Sequence, residues 1–173
     1  MRYHLFLQQD LSKYDYLFYC DIDMLMVGPV GEEIIGEKLT AAQHPMYALR
    51  KDYQAPLEPN GNSAAYIKTP MFYYAGGFQG GKSEHFLEAM RGMKKTIDKD
   101  LTNNYIARWN DETHWNRYLF DNQPSIVLSP SYIYPDSLIN EYYIKLWGCD
   151  YPKRIVTLTK KFSLSSAGAE HIQ

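Results

Sequence analysis

The stretch that most constrains this chain is Tyr14-Asp15-Tyr16-Leu17-Phe18-Tyr19-Cys20-Asp21-Ile22-Asp23-Met24. An aromatic-rich apolar run of strand length, Tyr14 to Cys20, ends abruptly in two carboxylates one residue apart. In an open α/β sheet, ligand groups gather beyond the carboxyl ends of the strands, which is where Asp21 and Asp23 fall. Carboxylates this close resist joint ionisation unless a cation sits between them. An oxygen-seeking divalent ion, Mn²⁺ or Mg²⁺, suits such a pair and leaves positions for water and a substrate phosphate. A strand that simply ends in a solvated polar turn would look the same, so the pair alone leaves both readings open.

At 173 residues the chain has room for one domain with a proper core. Its 18 basic and 20 acidic residues nearly cancel, and that balance excludes the electrostatic footprint of a nucleic-acid binder. Two cysteines, Cys20 and Cys149, are too few for a disulfide framework. No run of 18 apolar residues and no signal-peptide pattern is present, so the expectation is a soluble, cytoplasmic protein without a transmembrane segment. Sixteen tyrosines, flat faces with polar tips, suit both an interior and a wet sugar pocket.

Along the chain, residues 2–9 read as the tail of a helix with Leu5 and Phe6 facing in. Val30 to Glu37 reads as a short helix and Leu39 to Gln43 as a second strand, stopped at His44-Pro45. Residues 50–65 form a long polar loop, of the kind that is usually functional or mobile. An aromatic strand, Met71 to Tyr74, then enters two glycine pairs, Gly76-Gly77 and Gly80-Gly81. Backbone comes close to something there, either another strand or a ligand, and a tight strand-to-helix turn is the alternative for the second pair. Ser83 is placed to cap a helix to about Lys99, with Phe86, Leu87, Met90, Met93 and Ile97 on its apolar face. Asp111 is placed to cap another helix through Tyr118, Leu119 and Phe120, and Ser125 to Ser129 reads as a short strand.

Five stretches in this order carry a resemblance: Asp21-Ile22-Asp23-Met24, His44-Pro45, Ser63-Ala64-Ala65-Tyr66-Ile67, Phe72 to Gly81, and Trp109-Asn110-Asp111-Glu112-Thr113-His114-Trp115-Asn116. The succession, over roughly residues 14 to 161, resembles glycosyltransferase family 6, in its bacterial or phage-type form. The resemblance implies an α/β fold of the GT-A type, a mixed sheet flanked by helices, in a single catalytic domain over residues 1–173 with a mobile tail from about 153. It implies transfer of GalNAc or Gal from UDP-GalNAc or UDP-Gal to the 3-position of a β-galactoside acceptor, fucosylated or not, with retention and an α1,3 linkage.

Residue by residue, Asp21 and Asp23 match the aspartates that hold Mn²⁺ or Mg²⁺ against the diphosphate. Glu112 matches the catalytic glutamate, which also meets the acceptor, and Asp111 matches the aspartate that bonds the donor sugar. His44 and Trp109 match acceptor contacts. Ala75 and Gly77, with Gly76 between them, match the donor-selectivity stretch. Lys160 matches a tail lysine at the diphosphate, and Arg2 a donor-site arginine. Asn110 stands where animal members have His. Members also carry an N-terminal segment that holds the uridine, and this chain begins after it, so the resemblance implies a fragment or a reduced nucleotide grip. Two other classes stay open on the residues alone. A haloacid-dehalogenase-type phosphatase also opens with a strand and D-x-D, but wants Thr or Val where Leu25 stands, and a sugar-binding domain without activity needs only the pocket.

Overall fold

The structure is a computed structural model that describes residues 2–48, 55–69, 72–136, 144–145 and 150–158. A one-turn helix α1 (Arg2–Phe6) precedes strand β1 (Tyr16–Cys20), and a turn leads to β2 (Met24–Met26). Strand β3 (Leu39–Gln43) and the nine-residue β4 (Tyr74–Lys82) follow, then the helices α2 (Ser83–Thr102) and α3 (Asn110–Asp121). Three short strands finish the described fold: β5 (Ile126–Leu128), β6 (Tyr134–Pro135) and β7 (Ile155–Thr157). The strands make two sheets, ordered β1-β4-β3-β5 and β2-β7-β6. In the larger one β4 runs antiparallel to both neighbours and β3 runs parallel to β5.

One apolar cluster joins Leu39, Ala41 and Tyr74 of the larger sheet to Phe86, Met90 and Met93 of α2 and to Trp115 and Leu119 of α3. The predicted apolar stripe of α2 is therefore its buried face. A second cluster joins Ala42, Ala75 and Phe78 to Leu128, Tyr132, Ile133 and Ile155, tying the larger sheet to the smaller one. Burial of this kind stabilises by roughly 25 cal/mol per Å² of apolar surface removed from water.

Several local expectations change. The glycine pairs do not close a turn; they lie inside β4, between β1 and β3. A Cβ on Gly80 would stand 2.8 Å from the Cα of Phe18 and collide with the Leu17 carbonyl. Gly81 has φ +135, and a Cβ there would stand 2.8 Å from the Cα of Leu39. What approaches this backbone is another strand on either side. Val30 to Glu37 is helical only as a 3-10 turn, Glu32–Ile34, because Gly31 and Gly36 bracket it.

Ser83 is the first residue of α2 and no cap; its N–H donates to the Asp15 carbonyl at 2.9 Å, and α2 continues to Thr102. Leu5 is 61% exposed, whereas Phe6 packs against the core as expected, and the fully buried residue of α1 is Tyr3, whose hydroxyl donates to Gln79 Oε1 at 3.1 Å. Strand β7 falls within the stretch assigned from sequence to the tail. No helix among the described residues is long and apolar enough to cross a membrane.

The packing at Gly80 yields a stability prediction. Gly80→Ala should separate β1 from β4 and cost on the order of 3 kcal/mol, the range of backbone-strain substitutions. Urea unfolding checks this, and a midpoint within error of the parent would show that the strands can part freely.

Candidate functional site

The turn after β1 carries the paired carboxylates. The Met24 N–H donates to the Asp21 carbonyl at 3.1 Å, closing a turn that puts Ile22 fully in solvent. Asp21 is held from two sides: its Oδ1 accepts from Arg2 Nη1 at 3.0 Å and from the Tyr19 hydroxyl. Arg2 also pairs through Nε with Asp111 Oδ2 at 2.9 Å and lies over the Tyr19 ring at 4.3 Å. One half-buried guanidinium thus joins the first helix, the D-x-D turn and the start of α3.

Helix α3 begins at Asn110, with Trp109 in the cap position and no side-chain cap. Asp111 therefore sits inside the first turn, and its carboxylate is engaged by Arg2, not spent on capping as its sequence position suggested. Asn110 adopts φ +50, an uncommon conformation for a residue with a side chain. Glu112 follows, half-buried, and its Oε2 accepts from the Gly76 N–H at 2.7 Å. Only glycine allows that approach, since a Cβ on Gly76 would stand 2.9 Å from the Cβ of Glu112. The Tyr73 hydroxyl is buried beside the same carboxylate, with no well-aligned partner among the described residues.

These elements enclose a cavity of about 270 Å³ that Asp21, His44, Ala75, Gly77 and Glu112 line together. Met24, Pro45, Ile133, Pro135 and Thr157 complete its wall. Five of the expected site residues, scattered over some ninety positions of sequence, thus share one space. Trp109, 48% exposed, stands at the cap of α3 outside that lining; Arg2 meets the cavity through Asp21, whereas Asp111, paired with Arg2, lines a second cavity beside the α2–α3 connection. Asp23 is half-buried at the turn. Lys160 lies outside the described residues.

The sequence reading missed Tyr19, Tyr73 and Met24. Alternation along a strand held the signal for the first two, because Tyr19 and Asp21, like Tyr73 and Ala75, are two residues apart. Ile133, Pro135 and Thr157 carried no comparable signal; the smaller sheet brings them in.

His44 is half-buried against Tyr47 and Tyr73, with ring centroids 4.9 and 5.7 Å away, and desolvation pulls its pKa down to about 4. Its Nδ1 accepts from the Met46 N–H at 3.2 Å, so the neutral ring carries its proton on Nε2. Burial raises the Glu112 carboxyl above its ordinary value; the Gly76 N–H and Tyr73 oppose this, and the charges of Asp111 and Asp21 add to it. Among the described residues no three His, Cys, Asp or Glu side chains gather closely enough to hold a metal by themselves.

With this geometry in hand, the comparison with known proteins is decisive. Residues 3–151 match the profile described as Glycosyltransferase family 6. This chain belongs to glycosyltransferase family 6. Its mixed α/β architecture is accordingly GT-A-like, as the resemblance implied, and the phosphatase reading is not favoured.

The chain is 40% identical over 124 residues to the globoside alpha-1,3-N-acetylgalactosaminyltransferase 1 of Homo sapiens, covering 70% of this chain and 35% of that protein. It is 33% identical over 138 residues to the histo-blood group ABO system transferase 1 of Rattus norvegicus, covering 79% and 39%. It is 32% identical over 120 residues to the glycosyltransferase 6 domain-containing protein 1 of Rattus norvegicus, covering 68% and 38%. The chain thus spans a little over a third of the length of these curated relatives.

The raised carboxyl of Glu112 has a consequence for stability. A carboxylate whose folded pKa lies above its unfolded one costs nothing while protonated and destabilises as pH rises through the folded value. Glu112→Gln keeps an acceptor for the Gly76 N–H without the charge. Its melting temperature should exceed the parent's at pH 7, with the gain gone near pH 4, about the unfolded value for Glu. Calorimetry at the two pH values checks this, and a lower melting temperature at pH 7 contradicts it.

Proposed function

We propose that this chain carries the catalytic centre of a retaining, UDP-sugar-dependent transferase that forms an α1,3 linkage to a β-galactoside. The observation that supports it is the shared cavity, in which the Glu112 carboxylate, gripped by the Gly76 N–H, faces the same space as Asp21, His44, Ala75 and Gly77. The names of the relatives, N-acetylgalactosaminyltransferase and blood-group transferase, agree with this reaction class.

Glu112 is the candidate catalytic group. A carboxylate fixed on the open face of an anomeric centre stabilises the positive charge that develops as the leaving group departs, or bonds to that carbon. Its orientation comes from β4 through Gly76, and the Gly76 N–H and the Tyr73 phenol favour its charged form against the like charges of Asp111 and Asp21. His44 stays neutral and offers Nε2–H as a donor to an acceptor hydroxyl, while Trp109 offers an exposed indole face of the kind sugars stack on. Asp111 and Arg2 are the candidates for holding hydroxyls of the donor sugar. Lys160, at the position of the family's tail lysine, is the candidate for a diphosphate contact.

Asp21 and Asp23 fit an oxygen-seeking divalent ion. They are two carboxylates at one turn, and the Arg2 and Tyr19 bonds occupy Oδ1 of Asp21 while Oδ2 borders Gly77 of the cavity lining. No third His, Cys, Asp or Glu gathers there among the described residues, so a bound ion would draw its remaining ligands from water and diphosphate oxygens. A bound Mn²⁺ or Mg²⁺ supplies Lewis-acid neutralisation of the departing diphosphate.

UDP release from UDP-GalNAc, measured with and without Mn²⁺ and with and without lactose as acceptor, tests this function. Release should require the metal and increase with lactose. Asp21→Asn should abolish it without unfolding the chain, and Glu112→Gln should lower turnover on the order of 10²-fold or more, as loss of a preorganised charge does. Full activity in EDTA would refute the metal assignment, and turnover within a few-fold of the parent would refute that of Glu112.

Donor choice follows from β4. Ala75 and Gly77 line the cavity with almost no side-chain volume, which leaves room for an acetamido group at C2 of the sugar. UDP-GalNAc is therefore the expected donor over UDP-Gal. A Cβ on Gly77 would stand 3.1 Å from Asp21 Oδ2 and 3.2 Å from Ile133 Cδ1, closer than ordinary contact, so these side chains would have to give by a few tenths of an ångström. Gly77→Ala should shift the kcat/KM ratio toward UDP-Gal by about 1–3 kcal/mol, the scale of one small group in a pocket. A ratio unmoved by the substitution would take Gly77 out of the donor site.

A further inference from the structure

Glu58 is 1% exposed and lies outside the cavity just described, yet three donors converge on its carboxylate. Its Oε1 accepts from the Asn60 N–H at 2.9 Å and from the Tyr105 hydroxyl at 2.5 Å, and its Oε2 accepts from the Arg108 N–H at 2.8 Å. The first bond shapes Glu58's own loop, and the other two hold the connection between α2 and α3. A second buried carboxylate reinforces the joint from the opposite direction. Asp100, near the end of α2, accepts from the Ser63 hydroxyl at 2.5 Å and from the Ala64 N–H at 2.7 Å. The loop at 58–64 and the α2–α3 connection are thus fastened twice, each time by a carboxylate.

That connection is poorly held by packing. A cavity of about 180 Å³ lies against it, lined by Ile97, Leu101, Tyr105, Ile106, Ala107 and His114 among others. Ile106 is 67% exposed, and Asn110 sits at φ +50. A segment with a void beside it, an exposed apolar residue and a left-handed turn takes its position from specific hydrogen bonds. Arg108, whose N–H Glu58 holds, immediately precedes Trp109.

We propose that Glu58 is a positioning residue for the acceptor: by fixing the Arg108 backbone it aims the Trp109 indole, and so sets how well the acceptor binds. This rests on the transferase reading, in which Trp109 meets the acceptor. Glu112 has its own anchor on Gly76, so loss of Glu58 should misplace Trp109 while leaving the donor side intact.

Two variants of the full chain and two readouts test it. Glu58→Ala removes both oxygens; Glu58→Gln keeps the shape but leaves one of the three donors facing an amide NH₂. Amide hydrogen exchange should quicken at Arg108 and Trp109, most in Glu58→Ala. The KM for lactose should rise by about tenfold in Glu58→Ala and less in Glu58→Gln, whereas the KM for UDP-GalNAc and acceptor-free UDP release stay within about twofold, since a small misplacement of a contact group is costly only for the step that uses it. Unchanged exchange at Arg108 overturns the inference. So does a rise in both KM values together, or a loss of activity that merely tracks the melting temperature. A parent that releases no UDP from either nucleotide sugar would refute the transferase reading instead, and hydrogen exchange would still report whether Glu58 holds the connection.

Discussion

The arrangement depends on how closely β4 can be approached. Residues 76, 77, 80 and 81 carry no side chain, and the strand is hydrogen-bonded along both edges, by β1 on one side and β3 on the other. At Gly80 and Gly81 the missing Cβ atoms let those neighbours sit at backbone distance. At Gly76 the same absence lets α3 press its first turn onto the strand, so that a backbone N–H reaches Glu112. At Gly77 it opens the space between Asp21 and Ile133. One strand, made narrow by its composition, is therefore the common reference for the two acidic elements of the site. Gln79, buried in the same strand, adds to this by donating to the Gly76 carbonyl at 2.8 Å and accepting from Tyr3.

The electrostatics are equally economical. A single guanidinium, Arg2, pairs directly with two carboxylates of the site, Asp21 and Asp111, whose charges Glu112 also feels. Glu112 has no such ion pair among the described residues; its neutralising contacts are a backbone N–H and a nearby phenol. That difference explains why burial prevails at Glu112 and lifts its carboxyl. A group held this way is not buffered by a permanent partner, which suits a carboxylate that must meet a transient positive charge.

Much of this was legible in the residues, and the exceptions have physical reasons. Leu39–Gln43 is a strand as its apolar run suggested, and the stripe of Phe86, Met90 and Met93 packs inward as its period required. Asp21, His44, Ala75, Gly77 and Glu112 were all named from sequence, and the fold gathers them around one cavity, with Asp23 at the turn beside it. What could not be read was long-range. The glycines signalled close approach but not the identity of the neighbour, since a strand and a ligand ask for the same residue. Ser83 and Asp111 looked like caps because cap preference is local, and tertiary partners, the Asp15 carbonyl and Arg2, claimed them instead. In α1 a helix of one turn has no periodicity to read, and Tyr3 outweighs Leu5 because its hydroxyl finds Gln79.

The turn from Asp21 to Met24 is also the covalent joint between the two sheets, since β1 belongs to the larger and β2 to the smaller. Asp21 is anchored on the larger sheet, its N–H donating to the Gly77 carbonyl at 2.9 Å. Asp23 is anchored on the other, its carbonyl accepting from the Leu158 N–H at 2.8 Å just past β7. The two carboxylates thus ride on separate platforms, and the spacing between them records the angle at which those platforms meet. Anything that grips both at once acts as a rivet across the joint, converting affinity at the turn into stiffness of the molecule as a whole.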